Sequence, residues 1–192
     1  SAVAHATTTV APPQSSPTSS APAATAVASL VPTPACGDEP TLPQTAGPFY
    51  TPNSPQRASL REPGIAGVPL TVTGLVVSTT CQPVAGALLD FWHCDSAGVY
   101  DNTGYRLRGH QFADGQGRLG LETIVPAVYP GHTSHIHGKV QAPNRPAPTT
   151  QLYFPDEPAN RTDGIFRAAL VMAVEDRADG KYGTFTFVLD LA

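Results

Sequence analysis

Lysine is nearly absent from this 192-residue chain: Lys139 and Lys181 are the only two, and the formal charge is −4. So few cations offer no groove for a phosphate backbone, which excludes nucleic acid as an expected partner. Long apolar runs are missing too. None approaches the roughly 18 residues needed to cross a bilayer, so no membrane partner is expected. Cysteine stops at three (Cys36, Cys81 and Cys94), which permits at most one intrachain disulfide and leaves an odd thiol. From Ser1 to about Pro34 charge itself is lacking. That stretch is almost wholly Ala, Thr, Ser, Pro and Val, with His5 its one ionisable side chain. It holds too little bulky apolar material to offset the entropy of ordering, and a disordered tail is expected over 1–34. Residues 35–192 are then left as a single domain large enough for a core.

Ser/Thr/Pro-rich segments of this kind are typical of stalks and linkers in exported proteins. The opening "SAVAHA" resembles the small residues that flank a signal cleavage site, so a mature, secreted chain is expected. Export permits a disulfide. If 70–78 and 87–93 form a hairpin, Cys81 and Cys94 lie at opposite ends of it, too far apart to bridge. Cys36 is therefore the better partner for either, with Cys81 preferred.

What the sequence does contain, from residue 68 onward, is short β-prone runs cut by turns. "VPLTVTGLVVS" (68–78), "ALLDFWHC" (87–94), "RLGLETIV" (118–125), "HIHGKVQA" (135–142), "TTQLYF" (149–154) and "YGTFTFVLDL" (182–191) read as strands. "FRAALVMAVE" (166–175) suits either a strand or a helix. "DGQG", "YPGH", "APNRPAP" and "RADGK" punctuate them. The class predicted is all-β, a β-sandwich of mostly antiparallel strands behind the tail.

Within "YPGHTSHIHGKV" (129–140), His135 and His137 are one residue apart on a strand and so share a face. Such a pair is more often solvated than ligating. Two tyrosines change the weighting, because Tyr100 and Tyr129 each follow a strand, where side chains from separate strands converge. A 2-His-1-carboxylate iron site would have to borrow Asp90, Asp95 or Asp114 from afar. The simplest set within reach is two imidazoles and two phenolates. Hard anionic phenolates suit a trivalent ion, and with one hydroxide they neutralise Fe³⁺.

The runs "GPFY" (47–50), "CQPVAGALLDFWHCDSAGVY" (81–100), "LRGHQFADGQGRLGLETIVPAVYPG" (107–131), "HIH" (135–137) and "TTQLYF" (149–154) resemble the intradiol ring-cleavage dioxygenases in order and spacing. The resemblance covers roughly residues 45–190. It implies one non-haem Fe(III) per chain, with ligands at Tyr100, Tyr129, His135 and His137. It further implies an active-site glutamine at Gln151 and a substrate-lining turn at Gly47, Pro48 and Tyr50. The expected partners are a catechol-class diol and O₂, with ring opening between the hydroxylated carbons to a muconate-type diacid.

Two departures stand out. The family usually has an arginine three residues before the first ligand histidine, and here that position is His132. An imidazole is charged only in part near neutrality and lacks the guanidinium fork. Arg108 is then a candidate to supply the charge to the anionic substrate. The long helical linker through which catechol dioxygenases dimerise is missing as well; the oligomeric state stays open, with a monomer favoured.

Trp92 and Phe91 are expected to be packing residues, and His93 and His110 structural or surface ones. Tyr105 is a weaker rival of Tyr100, and Asn160 opens a formal "NRT" glycosylation sequon. Two alternatives to the dioxygenase remain: another metalloenzyme using the His-x-His pair, or a non-catalytic, carbohydrate-binding-like sandwich.

Overall fold

Alternation in "PLTVTGLVVS" puts Leu70, Val72 and Val76 on one face, and the segment forms β1 (Pro69–Ser78) with those three fully buried. In the computed structural model of the chain, which describes residues 1–3 and 39–192, seven more strands follow. They are β2 (Leu88–Trp92), β3 (Arg108–Phe112), β4 (Arg118–Ile124), β5 (His135–Gln141), β6 (Thr149–Tyr153), β7 (Ala173–Arg177) and β8 (Gly180–Leu189). Two four-stranded sheets result, ordered β4-β1-β8-β7 and β3-β2-β5-β6. Every pairing is antiparallel except β1 with β8. The expected all-β sandwich is what forms.

The chain divides into two units, Ser1–Leu30 and Val31–Ala192, and all the strands lie in the second. The disordered tail expected over 1–34 falls, apart from residues 1–3, outside the described residues. Cys81 is disulfide-bonded and Cys94 is a buried free thiol. The expected partner of Cys81, Cys36, lies outside the described residues. No helix among the described residues is long and apolar enough to cross a membrane.

The core sits between the sheets. Val72, Leu121 and Phe187 from the first face Leu89, Phe91, Ile136 and Leu152 from the second, all at most 1 % exposed. Gly138 pairs with Phe91, and a Cβ there would press within 3.3 Å of the ring. Two readings needed correction. "RGHQF" became β3 although no strand was expected there, because its inward positions are Gly109 and Gln111 and give no apolar alternation. "FRAALVMAVE" is neither one strand nor a helix: it splits into a 3-10 turn (Ala168–Leu170) and edge strand β7.

His93, buried just beyond β2, ties the two sheets. Its Nδ1 donates to Cys94 O at 2.7 Å, and its Nε2 lies 2.6 Å from Thr123 Oγ1 on β4. Burial pushes its pKa from 6.5 down to about 4. Between those values the unfolded chain binds the proton and the folded chain does not, so stability rises with pH across the window and falls on acidification. The loss on going from pH 6.5 to 4 amounts to about 3 kcal/mol for this group alone. Urea unfolding of metal-free His93→Gln should show a shallower acid slope than the parent; parallel slopes would assign the loss to other groups.

Residues 44–57 form a strap that crosses the outer face of the second sheet, from β6 to β3, and the chain beyond it runs on to β4. Gln44 N donates to Thr149 O of β6 at 2.7 Å, Arg57 N to His110 O of β3 at 2.8 Å, and Leu60 N to Glu122 O of β4 at 2.8 Å. The strap covers the face on which the two histidines sit.

Candidate metal centre

Register assembles the site. Gln151 on β6 pairs with His137 on β5, His137 with Trp92 on β2, and Trp92 with Arg108 on β3. Directly opposed residues share a face, so four side chains from four separate motifs stand in one row. His135 lies two residues along β5, on the same face, opposite Tyr153. Both histidines are 3 % exposed.

Their Nε2 atoms face each other at 3.0 Å. His135 Nδ1 donates to Thr133 O at 2.6 Å, which leaves the lone pair on Nε2. His137 Nδ1 is near the Thr45 backbone but makes no hydrogen bond of regular geometry. Burial holds the pKa of His135 low and that of His137 well below 6.5, so both rings are neutral at pH 7. Facing Nε2 atoms either share one proton or offer both lone pairs to a cation.

Tyr100 and Tyr129 close around this pair. Tyr100 lies 6.4 Å from His137 and Tyr129 5.9 Å from His135, ring centre to ring centre, and the two phenols are 5.8 Å apart. Two Asx turns bracket Tyr100: Asp95 Oδ1 accepts from Ala97 N and Val99 N, and Asp101 Oδ1 from Thr103 N and Gly104 N. Tyr100 Oη is buried with no hydrogen-bond partner. Burial first, then Cys94 and Tyr129, push its pKa well above the phenol range, with Arg108 acting in the opposite sense. Tyr129 is raised too, again mainly by burial. An orphaned buried phenol beside two facing imidazoles fits a bound cation, which alone would make the phenolate affordable there.

The carboxylates do not complete the site. Asp90 accepts from Ser54 Oγ and Tyr50 Oη, Asp95 caps its own loop, and Asp114 binds Gln116 N and Arg118. Among the described residues no three His, Cys, Asp or Glu side chains are grouped to hold a metal. Among the described residues the 2-His-1-carboxylate arrangement is thereby set aside, and the phenols are the anionic donors nearest the histidines. Tyr105 donates to Pro52 O, away from the pair.

The structure puts the remaining predicted residues in supporting places. Gly47, at φ +62, packs with its Cα against His137, where a Cβ would stand 3.7 Å from the ring. Exposed Pro48 follows it. Tyr50, expected to line the substrate pocket, turns instead onto Trp92 at 4.7 Å and donates to Asp90; Phe49 is the aromatic against the site, stacked on Tyr100 at 4.5 Å. Gln151 Nε2 donates to Thr45 O, and its Oε1 accepts from Tyr153 Oη. Arg108, expected to meet the substrate's charge, is 1 % exposed. Its guanidinium donates twice to Asp101 O and once to Phe49 O. Gln151 and Arg108 thus fasten the strap at the two ends of the row. His132, a third exposed, has Nδ1 3.5 Å from Asp163 Oδ2 and its ring 5.0 Å from that of Tyr129.

Sequence reasoning missed three contributors. Trp92, read as packing, stacks flat on His137 at 4.8 Å, so it packs against a site residue; Phe91 is the core residue of the two. Phe49 carried a signal, since it lies inside "GPFY". Thr133, which holds His135, carried none.

A family profile described as "Dioxygenase" matches residues 45–191. The chain belongs to the intradiol ring-cleavage dioxygenase family. Catechol 1,2-dioxygenase of Candida albicans is 30 % identical over 148 residues, 62 % of this chain and 49 % of its own length. The chain spans about half the length of the curated relatives it matches. Among solved structures, the dioxygenase domain of a dioxygenase carbohydrate-binding protein fusion from Streptomyces sp. SirexAA-E is 54 % identical, with a TM-score of 0.79 over 80 % of this chain and 100 % of that one. The 3-chlorocatechol 1,2-dioxygenase of Rhodococcus opacus 1CP, 25 % identical, gives a TM-score of 0.74 over 79 % and 73 %.

Proposed function

We propose that this dioxygenase is a non-haem Fe(III) enzyme that opens a catechol between its two hydroxylated carbons, adding both atoms of O₂ to give a muconate-type diacid. Tyr100, Tyr129, His135 and His137 would hold the iron. The observation that carries this reading is the facing Nε2 pair, 3.0 Å apart, beside the partnerless Tyr100 hydroxyl. Two phenolates and a hydroxide balance three positive charges, and hard oxygen donors favour Fe³⁺ over softer ions. When bound, the ion would take the catechol oxygens and draw electron density from the ring, opening it to O₂.

The rest is the chain's own work. Phe49 offers a flat apolar wall next to Tyr100 for an aromatic substrate. Tyr129, the more exposed phenol, would as a phenolate released from the ion present Oη as a base for a catechol proton. The relatives' names, catechol and 3-chlorocatechol 1,2-dioxygenase, support a catechol-class substrate. The Cys81 disulfide supports an oxidising compartment, and we place the protein outside the cytoplasm.

Purified protein should be red to brown, with about one iron per chain as the four-ligand set requires. It should consume oxygen when catechol is added, and anaerobic catechol should shift the band to longer wavelength. A colourless protein fully loaded with zinc or copper would end this reading.

A further inference from the structure

Thr133 is fully buried and anchored at each of its polar atoms. Its carbonyl accepts from His135 Nδ1 at 2.6 Å, its N–H donates to Asp163 Oδ2 at 2.9 Å, and its hydroxyl donates to Asn160 Oδ1 at 2.7 Å. The anchors are themselves anchored. Asn160 Nδ2 donates to Phe154 O at 2.9 Å, and Asp163 Oδ1 accepts from Ile165 N at 2.9 Å. Asn160 belongs to the 3-10 turn Pro158–Arg161, which follows β6, and the Asp163 side chain is 3 % exposed.

We propose that Asn160 and Asp163 are positioning residues that act through Thr133 to fix the His135 ring for metal binding. The inference rests on the reading of this site as a metal centre. A ligand imidazole is oriented by whatever accepts its other N–H, and here that acceptor is the Thr133 carbonyl. A carbonyl aims reliably only if its residue cannot turn. Thr133 directly follows the Tyr129–His132 turn, where Gly131 stands at φ +86 in open space, so that turn alone does not hold it. The side-chain bond to Asn160 and the N–H bond to Asp163 hold Thr133 from two directions, and its carbonyl keeps His135 Nε2 aimed at His137. Asn160 heads an Asn-Arg-Thr sequon, yet its Nδ2 is turned onto Phe154 O. Its amide orients a ligand.

The test challenges ferric protein with a chelator and compares iron affinity in the parent, Thr133→Val, Thr133→Ser and Asn160→Ala. Thr133→Val and Asn160→Ala each break the side-chain bond and should weaken iron binding by about 10- to 100-fold. Thr133→Ser keeps the hydroxyl and should stay close to the parent. Parental affinity in both loss variants overturns the proposal, as does equal weakening in the serine variant. If Thr133→Val does not fold, Asn160→Ala decides.

A metal-free readout separates this inference from the site reading. Imidazole ¹⁵N spectra should show His135 as the Nδ1–H tautomer in the parent and as a tautomer mixture in Asn160→Ala; an unchanged tautomer overturns the clamp. A parent that takes no iron overturns the metal centre, and the tautomer spectra still judge the clamp.

Discussion

Tyr129→Phe is expected to bind ferric iron and yet lose turnover by about 10²-fold or more, the usual scale for removing a positioned base. The two phenols differ in how firmly they are held. Tyr100 is 7 % exposed, lies under Phe49 at 4.5 Å, and is bracketed by two Asx turns. Tyr129 is more exposed and projects from a turn closed by His132 N donating to Tyr129 O at 2.9 Å. On the proposed reading, Tyr100 would be the phenolate that stays and Tyr129 the one that substrate displaces. The catechol complex of Tyr129→Phe should then have nearly the parent's visible spectrum. Tyr100→Phe should change the spectrum with and without catechol. The opposite pattern would reverse the two roles.

What could be read from the sequence was what sits on a strong local pattern. Val/Thr alternation announced β1, and the one-residue spacing of His135 and His137 announced a shared face, since both depend only on the strand's period of two. Strand β3 was hidden because its inward positions are Gly109 and Gln111, where the sandwich asks for close backbone approach and not for apolar bulk. The row Gln151–His137–Trp92–Arg108 was hidden for a different reason. It exists only once β6, β5, β2 and β3 are in register, and no local pattern encodes register between strands that far apart in the chain. That is also why the directions of Arg108 and Tyr50 could not be read. Each lies in a motif that points to the site, but its direction is decided by the strap that crosses the sheet.

Arg108→Met is expected to cost about 3 kcal/mol, because it removes three charge-assisted hydrogen bonds to the half-buried Asp101 and Phe49 carbonyls, each worth about 1 kcal/mol in that setting. For a chain of this size that corresponds to a fall in Tm of roughly 6–12 °C. The loss should reach the site as well, since the two carbonyls belong to the residue after Tyr100 and to the ring stacked on it. Arg108→Lys makes the sharper comparison. It keeps a positive charge near Tyr100, whose ring centre is 6.0 Å from the guanidinium carbon, but lacks the fork that reaches two carbonyls together. If Arg108 holds the strap, Arg108→Lys should lose stability and shift the tyrosinate band while KM for neutral and carboxylated catechols moves in parallel. If Arg108 instead meets substrate charge, Arg108→Lys should melt like the parent, and Arg108→Met should raise KM selectively for the carboxylated substrate. The three backbone bonds of the guanidinium, two to the residue after Tyr100 and one to Phe49, favour the first outcome.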